Sequence, residues 1–317
     1  PMNVLRTLTP VALLLCSFAL QGQQLSLFTQ YRENAVIINP AAMESDFLTF
    51  GNNMTFGASY RAQWSGIKSA PRTQTLRMSF VNKRYAGVTP LFGGHIVNDQ
   101  TGPTGFTGVY GRIGGVITGD AEYGGLALAL TAGAVQYRVK ASELVLRDDG
   151  DVLGSVDQTR IFPDVGLGLY YYQMVGDGNF VYGGLSMPQA LGLDLTFKNE
   201  NGQFFTKRVQ HIYGSLGFYK FVGDDGFIEP SVLFKYVPNA PLNVDVNLRY
   251  QIPGSLWVGA GASSAKAIHL ETGFLLGQNL GFDNIFRIGY GFDYSFSSFG
   301  PNIGATHEIN LTLSLDR

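Results

Sequence analysis

The stretch THEINLTLSL, from Thr306 to Leu315, puts Ile309, Leu311, Leu313 and Leu315 on one side of an extended chain and Glu308, Asn310, Thr312 and Ser314 on the other. Successive side chains of a strand point to opposite faces, so this alternation describes a strand whose two faces meet different surroundings. The period recurs along the chain. In YGGLALALTAG, Leu126, Leu128 and Leu130 oppose Ala127, Ala129 and Thr131, and Leu76, Met78 and Phe80 alternate with Thr75, Arg77 and Ser79. Leu48, Phe50, Asn52, Met54, Phe56, Ala58 and Tyr60 share one face of the first such segment. The greasy face is large and regular, and the other holds Thr, Ser, Asn and occasional Arg. That suits a wall with lipid outside and a polar lumen inside. A soluble sandwich would need a second packing layer and turn signals at about 8–12-residue spacing.

Composition narrows the class. Charged residues make up 15% of the chain, against roughly 25% in ordinary soluble domains, and glycine is abundant at 41 residues. A mean hydropathy of +0.07 fits poorly with helical membrane proteins, which need about 20 consecutive apolar residues per span. A net charge of −2 and the lack of a basic stripe argue against nucleic acid as a partner.

The pattern predicts an all-β fold: a transmembrane antiparallel β-barrel of about 14 strands. The strands are expected at 46–62, 72–82, 87–98, 104–117, 121–139, 163–175, 179–187, 209–222, 226–237, 242–251, 255–263, 268–279, 285–296 and 306–315. Alternate connections sort by length. NKRYA, TGDA, VGDGN, VGDDG, IPGS and LGFDN are short, and several carry Gly-Asp turn signals. Both long segments, Ala141–Phe162 and Pro188–Arg208, fall in the other set. Short turns on the periplasmic side and longer loops outside are the habit of outer-membrane barrels. Tyr170, Tyr171, Tyr172, Tyr213, Tyr219, Tyr236, Tyr290 and Tyr294 lie near strand ends, where interfacial girdles are expected; strand propensity alone would also place them there.

The front of the chain reads differently. Arg6 and the apolar run Pro10–Leu20 resemble a secretory signal, with cleavage expected near Gln23, so residues 1–22 are read as a signal peptide. Cys16 lies inside the apolar run behind Leu15, which disfavours a lipid anchor. Residues 23–45 form a short N-terminal periplasmic segment, and 46–317 the barrel.

No motif points to catalysis. His95, His211, His269 and His307 are scattered without metal-ligand spacing, and no GxSxG elbow occurs. The DDGD run at 148–151 superficially suggests a calcium loop, but Leu153 interrupts the required spacing. No cofactor or metal is expected. The informative charges lie within strands. A charge facing lipid at mid-depth costs about 2–4 kcal/mol. Arg61, Arg77, Arg112 and Arg249 are therefore assigned to the lumen or the interfaces, with Asp293 and Glu308 among their partners; Lys235 and Asp99 belong to the same reading.

QYRENAVIINPA, at 30–41, resembles the amino-terminal signature of the PorP/SprF family of outer-membrane proteins of the type IX secretion system of Bacteroidota. YRAQWSGIKSAPRTQTL, GGHIVNDQTGPTG, FPDVGLGLYY, YGGLSMPQ, IEPSVLFKY, YGFDYSFSS and THEINLTL follow in order and extend the resemblance over nearly the whole mature chain. Thr306 stands where a serine is common before His-Glu. The resemblance implies a non-enzymatic outer-membrane protein. It would help export or surface-anchor a large secreted protein, such as a gliding adhesin, through its type-B carboxy-terminal sorting domain, and would contact periplasmic secretion machinery.

On that reading Gln30, Tyr31, Asn34, Asn39 and Pro40 dock a periplasmic partner or seal the periplasmic mouth, or else serve only as a conformational stop before the first strand. Trp64, Asn98 and Asp99 are expected on the extracellular surface, with the long loops as candidates for gripping cargo and Trp64 as an interface anchor or binding hot spot. The competing function is an outer-membrane channel for small nutrients or hydrophobic molecules, since fold does not fix function. Lumen occupancy distinguishes the two.

Overall fold

The computed structural model describes residues 28–83, 87–140, 157–192, 194–199, 202–223, 226–252, 255–277, 280–297 and 300–317. The expected signal peptide and the DDGD run lie outside them. Fourteen strands close into an antiparallel barrel. They are β1 (Met54–Ala62), β2 (Arg72–Val81), β3 (Gly87–Thr101), β4 (Thr104–Thr118), β5 (Gly124–Val139), β6 (Gln158–Val175), β7 (Asn179–Met187), β10 (Ile212–Val222), β11 (Gly226–Tyr236), β12 (Asn243–Gln251), β13 (Leu256–Ser263), β14 (Ala267–Leu276), β15 (Ile285–Ser295) and β16 (Thr306–Leu315). Between β7 and β10, within an expected loop, β8 (Asp194–Asn199) and β9 (Gly202–Lys207) form a separate two-stranded sheet. β1 closes the ring on β16, with Met54 opposite Leu315 and Ala62 opposite His307. Asn53 pins the seam at its end: its amide donates to the carbonyls of Val81 at 3.1 Å and Arg317 at 2.8 Å, and its oxygen accepts from the Arg317 N–H at 2.8 Å.

The expected alternation sets the wall. Leu128, Leu311 and Leu313 face outward with about two-fifths of their surface exposed, and Leu76, Ile113, Leu167, Leu248 and Phe274 with more than half. Asn310, Thr312 and Ser314, each one residue from Leu311 or Leu313, are buried inside, as is Thr131 on β5. An apolar exterior around a polar interior is the transmembrane arrangement. The two longest connections, β5–β6 and β7–β10, lie at one end, called the loop end below, although β3–β4 and β13–β14 turn tightly there; the other end is called the turn end.

Three expectations need correction. β6 starts at Gln158 and not at 163, because Gln158–Phe162, expected to close a long loop, pair with Val135–Val139 of β5. Strand one begins at Met54, because Ser45–Phe50 is a helix, α2, following the one-turn helix α1 (Ala35–Ile38). Phe47 and Leu48 are adjacent and both buried, which suits a helix against a core rather than a strand dividing its faces. Gly51, at φ +74°, ends α2 in the left-handed conformation that glycine adopts without penalty. The tyrosine girdle also divides by face. Tyr171, Tyr236 and Tyr290 point outward, but Tyr170, Tyr172, Tyr213 and Tyr219 are buried in the lumen. In the run 170–172 strict alternation sends the middle ring out and its neighbours in. A short helix, α3 (Gly300–Ile303), precedes β16.

Leu128→Arg would place a charge on the lipid face near mid-depth. It is expected to lower stability by about 2–4 kcal/mol, measured as a fall in the urea midpoint of the barrel in vesicles; an unchanged midpoint would contradict the assigned orientation of β5.

Candidate functional site: a lumen filled by the N-terminal segment

A polar lumen lined by arginines and carboxylates must be wet, or its charges must be paired. Residues 28–53 pair them. Phe28 and Thr29 lie in the half nearer the loop end, and the chain descends to the turn end, where it enters β1. At the top, the Thr29 and Gln30 N–H groups donate to Glu308 at 2.7 and 3.3 Å, and the Thr29 hydroxyl donates to Asp293 at 2.8 Å. Arg61 braces both carboxylates, at 3.0 Å from Asp293 and 3.7 Å from Glu308, and His269 Nδ1 lies 2.8 Å from Asp293. Asn34 donates to Glu308 at 3.4 Å and accepts from Ser59 at 3.3 Å and Thr75 at 3.4 Å, so one side chain touches β16, β1 and β2.

The middle layer is a run of ion pairs. Arg32 lies 2.7 Å from Glu271 and 3.3 Å from Glu229. Arg249 reaches Glu229 at 2.8 Å, Glu33 at 2.7 Å and the Ser45 hydroxyl at 2.8 Å. Tyr182 donates to the other oxygen of Glu229 at 2.7 Å, and Tyr31 donates to Ser231 at 2.6 Å. Lower down, Arg77 lies 3.4 Å from Glu44, and Asp46 holds Arg287 and accepts from Ser314 at 2.7 Å. Arg112 donates to the backbone carbonyls of Pro40 and Ala42 and to the Ser79 hydroxyl.

The opposite side of the lumen is apolar. Ala41, Ala42, Met43, Phe47 and Leu48 pack with Leu91, Val116, Ala127, Tyr170, Tyr172, Tyr182, Tyr219 and Phe227 from the wall. The wall is also shaped to the segment. Asn39 donates to the Leu169 carbonyl at 3.0 Å, over Gly168 and Gly184, where a Cβ would come within 2.1 and 2.6 Å of the Asn39 amide. The segment therefore satisfies charge on one flank and buries apolar surface on the other.

Every expected lumen residue, Arg61, Arg77, Arg112, Arg249, Asp293 and Glu308, is buried and engaged here. Gln30, Tyr31, Asn34 and Asn39, expected to dock a periplasmic partner or to tuck into and seal the periplasmic mouth, are buried inside the wall. The carbonyl of Pro40 is bound by Arg112. Trp64 is half-buried in a loop-end connection tied to the β15–β16 connection, where Ser65 N–H donates to the Ala305 carbonyl at 2.9 Å. Asn98 donates to Thr107 at 2.7 Å, and Asp99 accepts from Thr73 at 2.6 Å; both serve cross-strand contacts near the loop end. Lys235 pairs with Asp245 at 2.5 Å. The expected set does not include Arg32, Glu33, Glu44, Asp46, Glu229, Glu271 or Arg287. Glu229, Glu271 and Arg287 carried the same period-two signal as Arg249; the acidic residues of the segment carried none.

Burial alone would raise the Glu33 carboxyl, but Arg287, Arg249 and Arg77 outweigh it and hold its pKa at about 2, below the ordinary 4.5. A depressed carboxylate contributes stability above its unfolded pKa and loses it as pH falls through the folded one. Glu44 goes the other way, because burial exceeds the pull of Arg77 and Arg112. Trp257, fully buried against Arg249, reports on this layer. Glu33→Gln is expected to flatten the loss of stability between about pH 4.5 and 2, followed by Trp257 fluorescence; an unaltered acid limb would refute the pairing. Arg249→Met takes the ion-pair partner from Glu33 and leaves Glu229 to Arg32 alone, and should cost about 3–5 kcal/mol, against about 1 kcal/mol or less for Lys83→Met at the half-exposed Glu122–Asp316 cluster.

The described fold is similar to two solved outer-membrane proteins. A FadL homologue from Pseudomonas aeruginosa aligns with a TM-score of 0.52 at 8% identity, covering 89% of this chain and 94% of that one. The Pseudomonas putida toluene transporter TodX aligns with a TM-score of 0.50 at 9% identity, covering 94% and 98%. At these identities the likeness is of fold alone. No curated protein matches the sequence. The family model for the type IX secretion system membrane protein PorP/SprF matches residues 20–313, nearly the whole length, and the chain belongs to that family.

Proposed function

We propose that the protein is a closed, non-enzymatic outer-membrane scaffold of type IX secretion. It binds a large secreted protein through a type-B carboxy-terminal sorting domain at the loop end and meets the periplasmic machinery at the turn end. Family membership supports the secretion role. The observation that carries the scaffold reading over the channel is the filled lumen. Two interior cavities flank the segment, each of about 40 Å³. A cavity needs roughly 10–15 Å³ to hold one water, and about 150 Å³ accommodates benzene. Neither cavity admits even a small aromatic solute, although the solved proteins of similar fold include a toluene transporter.

Orientation follows barrel habit: short turns in the periplasm, longer connections outside. On this orientation the described part of the N-terminal segment reaches the periplasmic side at its β1 end, where Thr49, Phe50 and Gly51 are partly exposed. The machinery would then meet the turns and that junction rather than Gln30 or Asn34. Two measurements test the reading. The purified protein in a planar bilayer is expected to show no conductance steps, and isolation in mild detergent from the producing cells is expected to retain a secreted protein with a carboxy-terminal sorting domain. Steady conductance with no such protein retained would favour the channel.

A further inference from the structure

Strands β3 to β6 are 15, 15, 16 and 18 residues long, while the other ten barrel strands have 8–11. About 9–11 residues cross a bilayer. At the turn end β6 and β7 finish together, with Val175 opposite Asn179. The surplus therefore stands at the loop end, as a four-stranded fin above the rim.

The fin ends abruptly at β6. On one side Gln158 to Gln173 pair without interruption with β5. On the other, pairing with β7 begins only at Leu167, opposite Met187. The chain after β7 adds one backbone bond, from Ala190 N–H to the Val165 carbonyl at 2.7 Å, and then leaves. Among the described residues no strand pairs with that side of Gln158–Asp164, and β8 and β9 pair with each other instead.

In an antiparallel strand the N–H and C=O of one residue point the same way, and residues two apart share that direction. The Val165 carbonyl points to the β7 side, so Thr159, Ile161 and Pro163 present their backbone groups there. They offer two donors, since proline has none, and three acceptors. Their side chains are exposed, and Ile161 is 67% accessible. An open edge is a template for another extended chain, and natural proteins commonly blunt it. Pro163 does so at the lower end only.

We infer that this edge is a docking site for an extended segment of the secreted partner, which adds as a strand beside β6 above the membrane. The edge stands beyond the strand length that lipid requires, so the bilayer does not supply its occupant. A row of alternating backbone donors and acceptors is matched by another backbone rather than by a small solute. The inference rests on the proposed scaffold role, which supplies a partner of this kind at the loop end.

The test uses the full-length protein isolated in mild detergent from its producing cells. Ile161→Pro removes one edge donor without touching the β5 side, and proline is tolerated on edge strands; Thr159→Pro removes the other. Each variant should keep the heat-modifiable migration of an intact barrel and retain about tenfold less secreted protein than wild type. If wild type retains a secreted protein and both variants retain as much, the edge is not the site, while the scaffold role stands. If wild type retains none, the scaffold role and this inference fall together. Amide hydrogen exchange gives an independent reading. Thr159 and Ile161 should exchange fast in the protein refolded alone and slowly in the isolated complex, with Tyr137 slow in both. Slow exchange in the refolded protein would mean that the chain covers its own edge and would overturn the inference.

Discussion

Pairing of buried charge governs this barrel. Arginines and carboxylates on the inner faces of the strands cannot remain desolvated and alone, because an uncompensated buried charge costs several kcal/mol. Residues 28–53 supply the missing partners. Glu33 completes Arg249, Arg32 completes Glu229 and Glu271, Asp46 completes Arg287, and backbone carbonyls at Pro40 and Ala42 complete Arg112. A buried pair is not by itself a large gain in stability. Its consequence here is specificity of seating: the segment fits one register against the wall, and the wall has one occupant that neutralises it.

The same arrangement divides the lumen. The ionic flank is built from β11 to β16 with β1 and β2, and the apolar flank mainly from β3 to β11, with the ladder of Tyr170, Tyr182 and Tyr219 along it. Ring separations of 5.9 and 5.5 Å are those of favourable aromatic pairs. Among the described residues, the amphipathic segment fills the space between these flanks, and the cavities beside it hold about 40 Å³ each. On the proposed scaffold role, function moves from the pore to the rims, and the tall, open-edged side at β6 is the most distinctive part of the loop end.

The wall was legible in the sequence because a half-buried strand writes its environment in every second residue. Twelve of the expected strands lie close to those observed, β1 and β6 being the exceptions, and the cost of charge in lipid assigns Arg61, Arg77, Arg112 and Arg249 to the lumen or the interfaces. Period two also explains what was misread. Leu48 and Phe50 mimic a strand while lying on a helix, and Tyr170 and Tyr172 resemble interface residues until their register places them inside. The partners of the wall charges were not legible. Thr29 meets Glu308 across 279 residues, and nothing local in either stretch announces the contact. The N-terminal segment carried a family resemblance but no periodicity, because its conformation is set by the cavity that receives it.

The central claim is that this segment is an integral part of the folded interior. A single cysteine in place of Val36, buried on α1, tests it most directly once Cys16 has been replaced or removed. The account predicts that a small water-soluble thiol reagent labels it only when the whole barrel is unfolded in denaturant. Labelling at the rate of a free thiol while the barrel remains intact would mean that the segment leaves the lumen, and would contradict the account.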